Sequence, residues 1–277
     1  MRSTGLGHGD AVLRTAGLTG LVLLVALAAG CGAPAERAAK PVTEVPATVT
    51  GAISQVGEAE VISFVQQLTA TGDTTALLAT QGRYSRKTND FDQQSAVLGA
   101  KGEPVQVNLR SVGAFGYLQL PSWGAPASSC WLRISQAALA KQTGTAGGIG
   151  SPAILAFVRG LHDVGPLETG TAAATVSVKL ALRLFPGKMA EASLRKDVTG
   201  DVAVQLGLAK GVLEGLVDGS KLAAQLKKDG APAVNGLARS EVHFVIKPDS
   251  DGTAIAAPAG NLQMTATDLK DQRCPVS

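Results

Sequence analysis

Alternation of apolar and polar residues at period two marks two matching segments in the second half of the chain. Residues 176–182 read Val-Ser-Val-Lys-Leu-Ala-Leu, and residues 202–208 read Val-Ala-Val-Gln-Leu-Gly-Leu. Because successive side chains of a strand point to opposite faces, each segment places its Val and Leu residues on one face. The pattern predicts two strands, each with one buried face.

Shorter alternating segments occur between residues 79 and 135. They lie at residues 83–87, 105–109, 114–120 and 131–134, and Gly, Pro, Asn and Asp residues separate them. This arrangement favours an antiparallel meander.

Further alternating segments lie near the carboxyl end. Residues 241–247 and 253–257 flank a Pro-Asp-Ser-Asp-Gly turn, which predicts a hairpin. Residues 262–267 predict a last strand.

Three other segments have helical spacing. Val61, Phe64, Val65 and Leu68 fall at i, i+3, i+4 and i+7, which predicts an amphipathic helix. Ser151-Pro152 opens a second helix, with serine as its cap and proline at its first position. Residues 209–228 predict helical structure with a break at Gly219-Ser220. Strands and helices together indicate an α+β domain.

The first thirty residues have the composition of a signal peptide. Arg2 and Arg14 precede an apolar run from Ala16 to Ala29. As a helix this run covers roughly 21 Å, which is short of the ~30 Å hydrocarbon core of a bilayer. The run therefore fits the apolar part of a signal peptide better than a membrane span.

The apolar run ends in Ala28-Ala29-Gly30-Cys31, which resembles the bacterial lipobox. It departs from the usual motif because Ala28 stands where leucine is preferred. The resemblance implies a lipoprotein signal peptide over residues 1–30 and a lipid on Cys31. It places the protein on the outer face of the cell membrane. The alternative is an ordinary secreted protein in which Cys31 is incidental.

Two regions follow the predicted anchor. Residues 31–52 contain three prolines and lack any hydrophobic period, which indicates a flexible tether. Residues 53–277 are predicted to form a single domain. The net charge from residue 31 onward is +2, since two of the 25 basic and one of the 22 acidic residues precede it. This gives no support for nucleic-acid binding.

Aromatic residues make up only 4% of the chain, so its core must consist of small aliphatic side chains. That composition is typical of Ala-rich actinobacterial proteins. Two cysteines, Cys130 and Cys274, follow Cys31, and an even pair in an oxidising compartment predicts a disulfide. The alternative is a buried thiol at Cys130 and a free thiol at Cys274. Neither belongs to a CxxC motif, which argues against a zinc site.

No catalytic motif stands out. The chain lacks G-x-S-x-G, H-E-x-x-H and P-loop sequences. Residues 148–153 match G-x-G-x-x-A, but a polar glycine-rich segment precedes them where a dinucleotide site needs an apolar strand. His162 and His243 have no evident nucleophile as a partner. We therefore predict no enzyme, no cofactor and no metal site.

The order of the predicted elements resembles the LppX/LprG family of actinobacterial lipoproteins, which are related in fold to the LolA and LolB carriers. Three segments carry the resemblance. The first is residues 151–164 followed by Gly170 and a strand over 175–184. The second is a strand over 201–208 that runs into a helix with Val212, Leu213 and Leu216. The third is a strand over 241–246 that ends at the turn of Asp249, Asp251 and Gly252. The resemblance covers about residues 55–270. It implies a curved antiparallel sheet, or half-barrel, with helices packed on its concave face and acyl chains held between them.

By this resemblance the protein would bind or carry the acyl chains of a lipid or lipoprotein. The candidate lining of the cavity is Ile154, Phe157, Val176, Val178, Leu180, Val202, Val204 and Leu206. The same apolar residues would suit a solid core equally well. The alternative is therefore a non-catalytic cell-envelope lipoprotein that acts through contacts with a protein partner.

Overall fold

The computed structural model describes residues 47–98, 102–125, 127–138, 151–271 and 273–274. The predicted signal peptide, Cys31 and most of the predicted tether lie outside these ranges. The helices are α1 Val49–Glu58, α2 Ser151–Arg159, α3 Val178–Leu182, α4 Lys188–Glu191, α5 Gly219–Lys228 and α6 Ala266–Lys270. The first six strands are β1 Val61–Ala70, β2 Ala76–Ser85, β3 Phe91–Leu98, β4 Pro104–Val112, β5 Phe115–Gln119 and β6 Trp131–Ser135. The others are β7 Thr171–Ser177, β8 Asp201–Ala209, β9 Val212–Asp218, β10 Ser240–Pro248 and β11 Gln263–Met264.

Within the described residues, the eleven strands form one sheet in the order β11-β6-β5-β4-β3-β2-β1-β10-β9-β8-β7. Neighbouring strands are antiparallel except for β11, which pairs with β6 in parallel. The sheet curves without closing, and the helices pack on its concave face. The predicted α+β half-barrel is confirmed, with β11 making the sheet mixed.

Strands β1 to β6 pair in chain order, and β2, β4, β5 and β6 overlap the segments of the antiparallel meander that the sequence predicts. Helix α1 precedes the meander and begins at Val49, where the Thr48 hydroxyl accepts a hydrogen bond from the backbone N–H of Gly51 at 3.0 Å. The helix thus starts four residues before the predicted start of the domain at residue 53.

The helix predicted over Val61–Leu68 is wrong, because these residues form β1. Strand β1 lies between β2 and β10 in the middle of the sheet. Ile62, Phe64 and Leu68 point to the concave face, and the half-buried Val65 points to the convex face. Apolar residues on both faces of a central strand produced a spacing that imitates a helix.

The helix predicted over residues 209–228 is correct only from Gly219 onward. Residues 212–218 form β9, which follows β8 through a two-residue turn. Both turn residues have positive φ, 52° at Lys210 and 78° at Gly211, as a tight hairpin of right-handed twist requires. At Gly219, where α5 begins, an added Cβ would lie 2.1 Å from the Leu237 carbonyl oxygen.

The strand predicted over Val176–Leu182 ends at Ser177, and Val178–Leu182 form helix α3. The partner strand β8 begins at Asp201, opposite Ser177. Beyond that point the backbone N–H of Val178 still reaches the Gly200 carbonyl, at 3.1 Å. The later residues satisfy their backbone within a helix, which the Ser177 hydroxyl caps.

The hairpin predicted from β10 to residues 253–257 is also wrong. Residues 249–262, which we call the C-terminal strap, run without regular strand structure over the convex face. Arg83 pairs with Asp249 and donates to the Thr253 carbonyl, and Arg110 donates to the Ala256 carbonyl. The predicted last strand shortens to β11, and α6 follows with a capping box formed by Thr265 and Asp268.

The main core lies between the helices and the half of the sheet formed by β2, β1 and β10 to β7. Phe157 of α2 meets Phe244 of β10 edge to face, with the ring centroids 5.3 Å apart. Phe244 occupies the space over Gly215, where an added Cβ would lie 2.4 Å from its ring. Glycine at this position therefore lets the aromatic pair sit directly on the sheet.

Candidate ligand-binding site

The concave face carries two separate hydrophobic clusters. The main core is the larger one. The smaller one, which we call the edge cluster, contains buried Ala127, Cys130, Leu132 and Met264, with Leu118, Trp123, Ile134 and Leu269 packed against them. The helices over the main core contact β2 and β7 to β10, whereas the edge cluster belongs to β5, β6 and β11. Strands β3 and β4 lie between the two.

The concave face of β3 and β4 forms what we call the trough. Its floor consists of Gln93, Ser95 and Val97 on β3 and their register partners Leu109, Val107 and Val105 on β4. Val97 and Val105 are 41% and 42% exposed at one end, Val107 is half-buried, and Leu109 and Ser95 are buried. The trough therefore has an exposed apolar mouth at the ends of the strands, and its floor is buried farther along them.

A polar row runs beside the interior of the trough. Gln66, Thr80 and Ser95 are cross-strand neighbours on β1, β2 and β3, and all three are buried. The hydroxyls of Thr80 and Ser95 lie 3.0 Å apart and share a hydrogen bond. The Gln66 amide donates to the Leu184 carbonyl, while its Oε1 accepts from no described residue. A buried acceptor without a donor costs free energy, so the Gln66 side chain lowers the stability of the folded protein relative to an apolar residue of the same shape.

The predicted lining residues lie together but away from the trough. Ile154 and Phe157 are on α2, and Val176 is on β7. Val178 and Leu180 are on α3 instead of the predicted strand. Val202, Val204 and Leu206 are on β8, five places from β3 in the sheet. Seven of the eight are at most 6% exposed within the main core, and Leu180 is half-buried.

Sequence reasoning missed Val97 and the role of β3. This strand reads Phe-Asp-Gln-Gln-Ser-Ala-Val-Leu, whose polar centre hides the period-two signal. Val105, Val107 and Leu109 belonged to a predicted strand, but alternation alone does not indicate which apolar face lacks a cover.

The cysteine pair is joined. Cys130 and Cys274 form a disulfide, and their Cα atoms lie 5.9 Å apart. The two residues are separated by 144 positions in the sequence. The bond lies in the edge cluster and ties the end of the chain to β6. Of the two thiol states that the sequence allowed, the structure has the bridge.

His162 lies at the edge of the sheet with two carboxylates. Its Nε2 is 3.6 Å from Asp201 and 3.8 Å from Asp163, and its Nδ1 lies 3.1 Å from the Gly160 carbonyl oxygen. The Gly160 hydrogen bond, followed by the charges of Asp163 and Asp201, raises the pKa of His162 above 6.5. His243 lies on β10 near Glu241, at 3.6 Å.

These histidine sites offer no evident catalytic geometry. Both imidazole side chains are about half exposed, and neither faces the trough. Among the described residues, no group of three or more His, Cys, Asp and Glu side chains could hold a metal ion. No helix in the described ranges is long and apolar enough to cross a membrane.

Comparison with known proteins gives a distant structural likeness. No family model and no curated protein matches the chain. Among solved structures, LprF from Mycobacterium bovis shares 10% sequence identity, with a TM-score of 0.38. The match covers 76% of this chain and 95% of that one. Membership of the LppX/LprG family stays a prediction.

Proposed function

We propose that the protein is a lipoprotein anchored through Cys31 to the outer face of the cell membrane, and that its half-barrel binds the acyl chains of a lipid or lipoprotein. The observation that carries the proposal is the trough, an apolar surface left between two hydrophobic clusters on the concave face. An exposed apolar mouth that leads to a buried floor suits a long, narrow and apolar ligand.

The chemistry of the trough favours an acyl chain over a polar ligand. Valine and leucine provide four of its six floor positions, and none of the six carries a charge. Each methylene transferred from water to such a surface contributes about 0.8 kcal/mol. A chain of ten methylenes would thus gain about 8 kcal/mol before the costs of ordering it.

The predicted lining residues enter the proposal as the inner end of the binding path. Helix α2 contacts β2, which lies next to β3, and α2 carries Ile154 and Phe157. An acyl chain longer than the trough would pass between α2 and the sheet and would meet these side chains first. Val176, Val178, Leu180, Val202, Val204 and Leu206 lie farther along the same direction.

The test compares two lysine substitutions at adjacent positions on opposite faces of β4. Val107→Lys puts a charge on the floor of the trough, and Gln106→Lys puts the same charge on the convex face. The full chain would be extracted from membranes in detergent, and its bound acyl lipid would be measured by native mass spectrometry and by solvent extraction.

We expect acyl lipid on the wild type and on Gln106→Lys, and at least about tenfold less on Val107→Lys, since a desolvated ammonium group costs several kcal/mol. Equal lipid content in both variants would contradict the assignment of the trough. A wild type that never carries acyl lipid would contradict the carrier function itself.

One observation favours the alternative function. Ile154, Phe157, Val176 and Val178 have no exposed surface, so in this structure their side chains fill the main core. A cell-envelope lipoprotein with a solid core, acting through a protein partner, would have the same burial. It predicts that wild type and both lysine variants are equally free of lipid.

A further inference from the structure

The polar row of Gln66, Thr80 and Ser95 connects the trough with the main core. These three residues are register neighbours on the concave face, and they are 3%, 1% and 7% exposed. On one side the row continues to Val107 in the trough, and on the other side to Phe244 of the main core. The polar row therefore lies on the path along which an acyl chain would pass from the trough toward the main core.

Gln66 has one hydrogen-bond acceptor that the described residues leave unused. Its side-chain amide donates to the Leu184 carbonyl. A carbonyl oxygen can only accept, so this contact directs the NH₂ group of the amide toward Leu184 and leaves Oε1 on the other side. Oε1 is buried and accepts from no described residue. A ligand that donates a hydrogen bond to Oε1 would remove the free-energy cost of burying it unpaired.

The two hydroxyls next to Gln66 can supply a donor to the same ligand. The hydroxyl oxygens of Thr80 and Ser95 lie 3.0 Å apart. Two hydroxyls that share one hydrogen bond keep a second hydroxyl hydrogen, which can be donated to a third partner. Thr80 is the direct partner of Gln66, and the Cβ atoms of such partners lie about 5 Å apart. One small group can therefore contact Oε1 of Gln66 and the hydroxyl of Thr80 together.

We infer that the polar row binds a hydroxyl group within the acyl chain of the ligand, so that the trough takes hydroxylated acyl lipids in preference to plain saturated ones. This inference rests on the proposed function and narrows its ligand class. A hydroxyl donates and accepts at one atom, which matches Oε1 of Gln66 and the second hydroxyl hydrogen beside it. A methylene at the same place would leave both groups unpaired.

Other polar groups of lipids fit the polar row less well. An ester carbonyl and an ionised carboxylate or phosphate only accept hydrogen bonds, so they offer no donor to Oε1 of Gln66. The anionic groups would also lose their hydration beside three side chains that carry no charge. A charged headgroup therefore stays at the exposed mouth of the trough, while a hydroxyl farther along the chain enters.

The register gives the depth at which the hydroxyl would bind. Val97 at the mouth of the trough pairs with Leu78 on β2, which pairs with Leu68 on β1. Gln66 lies two residues from Leu68 on the same strand. Two strand spacings and two residues correspond to roughly 12 Å between the mouth and Gln66. A hydroxyl near the middle of a long acyl chain reaches this depth when the headgroup stays at the mouth, whereas a hydroxyl next to the headgroup does not.

The experiment measures which of two acyl chains the protein prefers. The full chain would be purified from membranes in detergent, freed of endogenous lipid, and incubated with equal amounts of stearic acid and 12-hydroxystearic acid. Native mass spectrometry then gives the ratio of the two bound probes. Each probe partitions into the micelles equally in every sample, so a change in the ratio between variants reports on the binding site. A second competition replaces 12-hydroxystearic acid with 2-hydroxystearic acid, whose hydroxyl lies next to the carboxylate.

Three variants are compared with the wild type. Gln66→Met removes the acceptor and keeps an unbranched side chain, and Thr80→Val replaces the hydroxyl with a methyl group. Thr69→Val is the matched control, because Thr69 is also buried and its hydroxyl also lacks a described partner. Thr69 pairs with Glu241 on the convex face, away from the trough. Circular dichroism checks that each variant is folded.

We expect the wild type to bind 12-hydroxystearic acid in preference to stearic acid. Gln66→Met should lower the ratio of the two about tenfold, which corresponds to about 1.4 kcal/mol and is the size of one buried hydrogen bond. Thr80→Val should lower it at least about threefold, and Thr69→Val should leave it unchanged. The ratio of 2-hydroxystearic acid to stearic acid should be the same in the wild type and in Gln66→Met.

Three outcomes would overturn the inference. If stearic acid binds but the ratio is the same in the wild type, Gln66→Met and Thr80→Val, the polar row holds water only, and the carrier function stands. If Gln66→Met lowers the ratio equally for both hydroxylated probes, the preference does not depend on the depth of the polar row. If neither fatty acid binds to any form of the protein, the carrier function fails and the inference fails with it.

Discussion

His162 has an exposed side chain, but its backbone is hydrogen-bonded to the edge strand β7 of the sheet. Its backbone N–H donates to the Thr175 carbonyl at 2.9 Å, and its own carbonyl accepts from Thr175 at 2.8 Å. Gly165 and Glu168 add further backbone bonds to β7. The segment thus covers the outer edge of β7, which would otherwise be open to pairing with another chain.

The raised pKa of His162 predicts a pH-dependent contribution to stability. A folded-state pKa above the unfolded value means that the contribution is fully present below about pH 6.5 and is lost as the pH rises through the folded pKa. Wild type should therefore exceed His162→Gln in stability at pH 5 by more than at pH 8, in urea unfolding.

A proton NMR titration gives the control for His162. The ring should titrate above pH 6.5 in the wild type, because the Gly160 carbonyl and then Asp163 and Asp201 favour the charged form. Asp163→Asn and Asp201→Asn should each lower the pKa of His162. A ring that titrates below 6.5 would contradict the assigned cause.

Arg110 connects the convex face to the C-terminal strap. It donates to the Asp92 carboxylate at 2.6 Å and to the Ala256 carbonyl at 3.0 Å, and its guanidinium lies 4.9 Å from the centre of the Trp131 ring. Arg83, Asp92, Arg110, Tyr117 and Arg133 follow one row across five strands. Arg110 lies at the middle of this row.

We expect Arg110→Ala to lower the free energy of unfolding by about 2 kcal/mol, because it removes two hydrogen bonds, one of them to a charged group, and a cation–π contact. Urea unfolding measures the change. Arg273→Ala is the matched control, since Arg273 is exposed and pairs with Asp271 two residues away. It should change stability by less than about 1 kcal/mol.

At the scale of elements, the length of the partner strand determines whether a segment with period-two alternation forms a strand or a helix. Two segments share the pattern V-x-V-x-L-x-L, yet the one in β8 stays a strand and the other breaks at Ser177. Strand β8 has partners on both sides, β7 and β9. The segment after Ser177 has lost its partner, so its backbone forms a helix instead.

The C-terminal strap is an element held at both ends. The pair of Arg83 and Asp249 fixes its beginning, and its end continues into β11, which pairs with β6 next to the disulfide. Cross-linking across a separation of 144 residues removes loop entropy from the unfolded chain. The bond therefore contributes to the stability of β6 and β11 at the edge of the sheet.

Cys130→Ser should destabilise the protein by about 4 to 5 kcal/mol on the chain-entropy model and expose the C-terminal strap to limited proteolysis. Urea unfolding and peptide mapping measure the two effects. Wild type should shift in mobility on a gel when reduced, and Cys130→Ser should not. Cys274→Ser should match Cys130→Ser, and a clearly different loss in the two would count against a shared bond.

At the scale of the whole molecule, our proposal gives the predicted anchor and the domain separate roles. The lipid on Cys31 would determine where the protein works, and the half-barrel would determine what it holds. Release of the anchor should therefore leave the fold unchanged, because the described members of the main core and the edge cluster all follow Thr48.

Cys31→Ala should move the protein from the membrane fraction to the soluble fraction, since the acyl chains supply most of the membrane affinity. Cell fractionation with immunoblotting measures the distribution. Cys130→Ser serves as the control and should stay with the membrane. A Cys31→Ala protein that remains fully membrane-bound would show that the lipobox assignment is wrong.

Local patterns determined the parts of the fold that depend on near neighbours along the chain. Strands β2, β4, β5, β6 and β8 and the helix beginning at Ser151 follow from period-two alternation and from turn and cap residues. The α+β class could be predicted from the mixture of strand and helix patterns. The pairing of Cys130 with Cys274 could be predicted because they are the two cysteines after Cys31.

Tertiary structure decided what no local pattern contains. It made Val61–Leu68 a central strand, ended β7 at Ser177, and laid residues 253–257 across the convex face. The trough arises because the helices cover β2 and β7 to β10 while the edge cluster covers β5 and β6. Val97, Val105 and Val107 look like ordinary core residues in sequence. Within the described residues, the placement of these covers leaves Val97 and Val105 exposed and Val107 half-buried.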